Sequence, residues 1–321
     1  MTHPEQGTPE YAGESIAADQ WPLINAFRER GAPSFHQLGV AAARMAYEES
    51  CARNGLPPRA DVRVEELRLT AGEGSGNSAV KARLYRPENG EAPQPTALFF
   101  HGGGWVMGSL DTHDSLCRHL AAEARTAILA VDYRLSPEHP HPAPLEDART
   151  SLTWLRENGR RHDLDPESLA VAGDSAGAHL AAALARDDPH IAGQLLLYPV
   201  VSAATDTASY RRLSRGFPLT AATMRWFMDL HTDGRTEPGE AIVDLAVDPR
   251  PIPTFLCTVG HDPLCDDGLT YAAALARAGA EVQHVHLPQH AHGIFTSAGV
   301  VPTAERVLAS ACAFLQGVLK R

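Results

Sequence analysis

The sequence predicts an α/β fold: a mostly parallel sheet of eight strands, covered by helices on both faces. Three observations lead there. Six short apolar runs, TALFF, TAILAVDY, SLAVAGD, GQLLLYPVV, PTFLCTVG and EVQHVHL, follow one another between Thr96 and Leu287, with helix-like stretches between them. Two earlier segments, VRVEELRLT and AVKARLYRP, alternate apolar and polar residues and read as an antiparallel edge. Finally, 321 residues with 44% hydrophobic and 21% charged side chains suffice for a core of ordinary size.

The elements follow in order. Residues 1–60 read as helical and fairly polar, with GVAAARMAYEESCARNG ending before Pro57 and Pro58. The glycines of GEGSGN, between the first two strands, match G-x-G-x-x-G only in part, and a strand follows them, so they read as a hairpin loop. Helices are expected near Asp114–Arg125, Leu145–Asn158, from Ala176, from about Asp267, and in the last stretch to Arg321. Residues 202–247 interrupt the alternation. They are helical and carry large apolar side chains in SYRRLSRGFPLTAATMRWFMDLHTDG. The expected division is therefore an N-terminal helical cap segment (1–60), a first part of the core (61–201), a cap insertion after the sixth strand (202–247) and a second part of the core (248–321).

Acidic residues number 39 against 28 Lys and Arg, a net charge of −11, and no basic block carries interleaved aromatics. Nucleic acid is not an expected partner. The N-terminal residues lack a basic, then apolar, leader pattern, and no apolar run approaches the ~20 residues that span a bilayer, so no membrane insertion is expected. Five scattered cysteines without a C-x-x-C pair read as reduced thiols of a cytoplasmic protein.

Chemistry concentrates in a few places. Gly173-Asp174-Ser175-Ala176-Gly177 fits G-x-S-x-G at the seam between a strand and a helix, where a sharp turn lifts a serine nucleophile to the helix N-terminus. His101 to Trp105, HGGGW, directly follows a strand. Consecutive glycines there let backbone N–H groups point into a site and, with the N–H of Ala176, hold an oxyanion. A serine needs a base and the base an orienting acid. Loops after the last two strands offer Asp262, Asp266 and Asp267, then His290 and His292, and spacing alone does not choose among them. His284 and His286 alternate within a strand and read as structural. No H-E-x-x-H or cysteine pair supports a metal site.

HGGGW, DYRLSPEHPHPAPLED, GDSAG, GHDPLCDDG and a late His-Gly occur in this order from about Val80 onward. Together they resemble the hormone-sensitive-lipase-like branch (bacterial family IV) of the α/β-hydrolase esterases. The resemblance implies an α/β-hydrolase fold with a helical cap. It implies Ser175 as nucleophile, Asp262 as acid and His292 as base, with His290 as the alternative base. The oxyanion donors would be the N–H groups of Gly103, Gly104 and Ala176, and Asp132-Tyr133-Arg134 would be a buried structural network. It further implies a cofactor-free, metal-free serine carboxylesterase acting with water on small esters of short to medium acyl chain, with a homodimer among its assemblies. Trp105, Phe217, Leu219, Met224 and Phe227 are candidates for the pocket wall. Two departures stand out: Ala178 where the family continues with glycine, and Ile294 between Gly293 and Phe295. The same machinery could act on amides, carbamates or lactones. A catalytically silent binding protein is the alternative of another class, against which nucleophile and histidine both stand intact.

Overall fold

The computed structural model describes residues 15–70, 79–88, 90, 92–213 and 215–320. The glycine-rich GEGSGN stretch lies outside the described residues. Eight strands form one sheet: β1 (Val62–Leu69), β2 (Val80–Pro87), β3 (Gln94–Phe100), β4 (Ala127–Asp132), β5 (Leu164–Asp174), β6 (Gly193–Leu197), β7 (Thr254–His261) and β8 (Val282–Ala291). Their order is β1-β2-β4-β3-β5-β6-β7-β8. β1 and β2 are the antiparallel edge, and all pairings from β4 through β8 are parallel, as the sequence predicts.

The central strands are apolar throughout because helices cover both of their faces. Within them the side chains still alternate between two cores. Leu98, Phe100, Leu129, Val131, Leu169, Val171, Leu196 and Leu256 join one cluster. Their neighbours Ala97, Phe99, Ile128, Ala130, Ala170, Ala172, Leu195 and Phe255 join the other. Ten helices are described. α1 (Trp21–Glu29) and α2 (Val40–Asn54) precede the sheet. α3 (Asp114–Ala124) covers one face together with α10 (Pro302–Leu319), while α4 (Ala143–Asn158), α5 (Ala176–Asp187) and α9 (Cys265–Arg277) cover the opposite face.

Residues 202–247 contain α6 (Ala208–Arg212), α7 (Ala221–Thr232) and α8 (Pro238–Ala241). The hydroxyl of Thr220 accepts the Thr223 N–H and so caps α7. The N-terminal segment is tied to this insertion: the Ser34 hydroxyl donates to the Phe217 carbonyl at 2.9 Å, Arg28 Nε to the Gly216 carbonyl at 3.0 Å, and His36 Nδ1 lies 2.9 Å from the Thr223 hydroxyl.

Among the boundaries that differ from expectation, three bear on the site. β6 stops at Leu197, because Tyr198 takes a left-handed backbone (φ 38°) that no strand continues through. α9 starts at Cys265, two residues early, since Asp262 Oδ1 accepts the Leu264 N–H at 2.9 Å and turns the chain there. β8 runs on through His290 to Ala291, past a break in register that Pro288 marks.

Candidate active site

Parallel strands present their carboxyl ends on one side, and there the chain gathers its reactive groups. Ser175 directly follows β5, Asp262 follows β7, His292 follows β8, and the glycine run follows β3. Ser175 has φ 54° and ψ −120°, a strained conformation for a residue with a side chain, and it opens α5. The turn is tight enough that a Cβ on Gly177 would stand 2.0 Å from the Phe100 carbonyl oxygen. Only glycine fits there.

The register of the last two strands decides which histidine meets Asp262. Val259 stands opposite Leu287, but His261, two residues on, stands opposite Ala291, four residues on. The two extra residues in β8 move His292 beside Asp262. In an unbroken ladder that place belongs to His290. His292 Nδ1 lies 2.6 Å from Asp262 Oδ2, and Asp262 is fully buried. The other loop candidates are engaged elsewhere. His290 Nε2 lies 3.1 Å from Asp19 Oδ1, and Asp266 accepts the Ser209 N–H. Asp267 is buried, and its carboxyl is pushed up to about 7 by burial and by Asp266, Asp244, Asp262 and Asp206. His284 and His286 both lie 2.9 Å from the Thr258 hydroxyl.

The glycine loop is set by contacts from both sides. Gly103 has φ 120°, and a Cβ there would lie 2.3 Å from the Met107 carbonyl; Gly104 has φ 63°, with the Phe227 ring in the space a Cβ would fill. Both glycines line the same cavity as Ser175 and His292. The Ala176 N–H, first in α5, has no partner within its own helix. Asp174 joins this loop to the elbow: its Oδ1 accepts the Gly102 N–H at 2.7 Å and lies 3.0 Å from His113 Nε2. Burial works against its charge, but His113 and the Gly102 N–H outweigh that and hold its pKa below the ordinary carboxylate value. The Tyr133 hydroxyl donates to the His101 carbonyl at 2.7 Å and so braces the loop, while Arg134 pairs with Asp147 on α4.

The cavity in front of Ser175 has about 890 Å³ of empty space, part of it open to solvent, and its walls are mostly apolar. A profile of the alpha/beta hydrolase fold family matches residues 97–296. The chain belongs to the alpha/beta hydrolase family. Esterase LipI of Mycobacterium tuberculosis is 39% identical over 265 residues, covering 77% of this chain and 80% of that protein. An ethyl acetate hydrolase of Pseudomonas putida is 33% identical over 309 residues, covering 92% and 95%. Among solved structures, an ester-hydrolase from the metagenome of Lake Arreo superposes with a TM-score of 0.88 at 30% identity, covering 95% of this chain and all of the other. The resemblance to hormone-sensitive-lipase-like esterases therefore holds.

Of the five pocket-wall candidates in this hydrolase, Leu219 and Phe227 line the cavity. The other three need correction. Trp105 is fully buried behind the glycine loop, stacked on His231 with ring centroids 4.5 Å apart. Phe217 stacks on His261 under the Arg28 guanidinium, and Met224 on α7 is buried in the larger hydrophobic cluster. Hydrophobicity marked all five, but only the direction in which each side chain leaves the backbone decides between core and cavity. The sequence reading missed the opposite wall, which the N-terminal segment supplies through Gln20, Leu23, Ile24, Phe27, Phe35 and Tyr47. The apolar spacing of Leu23, Ile24 and Phe27 was the available signal. Also missed was Tyr198, whose ring lies 4.2 Å from the His292 ring and backs it from the sheet side. Among the described residues no group of three His, Cys, Asp or Glu side chains is placed to hold a metal ion, and no helix is long and apolar enough to cross a membrane.

Proposed function

We propose that this hydrolase is a serine carboxylesterase in which Ser175, Asp262 and His292 form the triad and the N–H groups of Gly103, Gly104 and Ala176 hold the oxyanion. The observation that carries the reading is the 2.6 Å contact between Asp262 Oδ2 and His292 Nδ1, set by the strand register beside the strained Ser175. Asp262 accepts the Nδ1–H, which leaves Nε2 as the base. Ser175 Oγ attacks the ester carbonyl as Nε2 takes its proton, and the oxyanion forms against the three N–H donors. His292 then returns the proton to the departing alcohol. Water, activated by the same nitrogen, cleaves the acyl-enzyme and frees the acid.

The substrates are small esters of short to medium acyl chain. A cavity walled by Leu219, Phe227, Phe27 and Phe35 favours compact apolar groups, and a relative that resembles this chain over most of its length is named for ethyl acetate. Five buried, unpaired cysteines support a reducing, cytoplasmic setting. The test is a p-nitrophenyl ester series run on wild type and Ser175→Ala. Short esters should turn over, and the variant should lose at least ~10³ in kcat while remaining folded. A variant that kept half its activity would remove Ser175 from the role, and a rate maximum at twelve carbons or more would remove the small-pocket reading.

A further inference from the structure

β8 is the last strand of the sheet, so nothing in the sheet pairs with the outer edge of Ala291, the residue before His292. Ala291 is nonetheless buried, and its outward N–H and carbonyl would be costly without partners. Gln20 supplies both. Its Oε1 accepts the Ala291 N–H at 2.7 Å and its Nε2 donates to the Ala291 carbonyl at 3.3 Å, so one side-chain amide stands where a ninth strand would be. Its neighbours extend the seam. The Ala17 N–H donates to the Gln289 carbonyl at 2.8 Å. Asp19 bridges the two ends of the His292 loop, with Oδ1 3.1 Å from His290 Nε2 and Oδ2 accepting the Thr303 N–H at 3.0 Å.

We propose that Gln20 is a positioning residue for His292: its side-chain amide fixes the backbone of Ala291, and through it the place of the base relative to Ser175. The proposal rests on the triad reading above and adds a function for the N-terminal segment beyond walling the cavity. A displacement of the base by about 1 Å is enough to cost on the order of 10²-fold in rate.

The experiment compares wild type with Gln20→Met, which keeps the length and bulk of the wall but neither hydrogen bond, and Gln20→Glu, which keeps an acceptor for the Ala291 N–H. Each is assayed well below its own Tm. Gln20→Met should lower kcat and the rate of fluorophosphonate labelling of Ser175 together, by about 10- to 100-fold, with KM within about threefold. Gln20→Glu should recover part of both. Labelling needs an activated serine but little fit of substrate, so it separates the base from the wall. A Gln20→Met protein that only melted earlier, or only raised KM, with kcat and labelling within twofold of wild type, would overturn the proposal. Amide hydrogen exchange at Ala291 is read in parallel: it should accelerate in Gln20→Met, and unchanged exchange would refute the seam. Because exchange does not depend on turnover, a wild type that hydrolysed no ester would count against the triad reading and still leave exchange to decide the role of Gln20.

Discussion

Gly260 and Pro288 touch where β7 and β8 change register: a Cβ on Gly260 would stand 2.0 Å from the Pro288 carbonyl oxygen. This contact admits the two extra residues of β8, and those residues deliver His292 to Asp262. Gly260→Ala must push the β8 backbone outward, since no flexible side-chain end is there to yield. It should destabilise the protein by about 1–3 kcal/mol and lower kcat by tenfold or more at temperatures where the protein is still folded. Thermal melting and ester kinetics on the same preparation check both effects. Full activity in a folded variant would mean that the register tolerates a different bulge.

The same register separates the two histidines. His292→Ala should lose about 10³-fold or more in kcat, as removal of a triad base does. His290→Ala removes one of the two partners of Asp19, leaving the Thr303 N–H, and should lose less than about tenfold. Kinetics of the two variants side by side decide the assignment, and equal losses would contradict the pairing of Asp262 with His292.

Asp267 predicts a pH dependence of stability. Its carboxyl is raised from an ordinary value near 3.8 to about 7, first by burial and then by Asp266, Asp244, Asp262 and Asp206. Between those values the folded protein holds a proton that the unfolded chain releases, so this group's contribution is present below pH ~4 and lost as pH rises to 7. Asp267→Asn keeps the neutral form at every pH. Its gain in Tm over wild type should therefore be larger at pH 8 than at pH 5, by about 3–6 °C. A gain that did not change with pH would show that Asp267 does not titrate in this range.

Phe227 lies against Gly104 and lines the cavity, so it limits the space beside the proposed oxyanion donors. Phe227→Leu opens that space without emptying it. The preferred acyl length should move up by about two carbons, at a cost of up to ~1.5 kcal/mol in stability. Rates across an ester series measure this directly. An unmoved optimum would place the acyl group elsewhere in the cavity.

Much of this arrangement was legible in the sequence, for definite reasons. The strands TALFF and SLAVAGD are apolar on both faces and bounded by glycines, so their existence, direction and reactive carboxyl ends follow from composition and order. Ser175 and the glycine run announce themselves because a tight turn and exposed N–H groups leave few residue types to choose from. What stayed hidden depends on contacts between distant segments. The choice between His290 and His292 turns on a bulge opposite Gly260. Trp105, Phe217 and Met224 are as apolar as Leu219 and Phe227, and only packing tells which of them meets the cavity. Gln20 is one polar residue in a polar segment, and its partner lies 271 positions away.

That separation has a consequence for the order in which the molecule is assembled. During synthesis, residues 15–20 leave the ribosome long before Gln289, Ala291 and Thr303, the groups they will hold. The parallel strands between them can form as they emerge, but the seam between Gln20 and Ala291 closes only after β8 has been made. Until then the turn at Ser175 has no His292 to meet. On the proposed triad, Ser175 therefore has no base until the early and late segments of the chain meet.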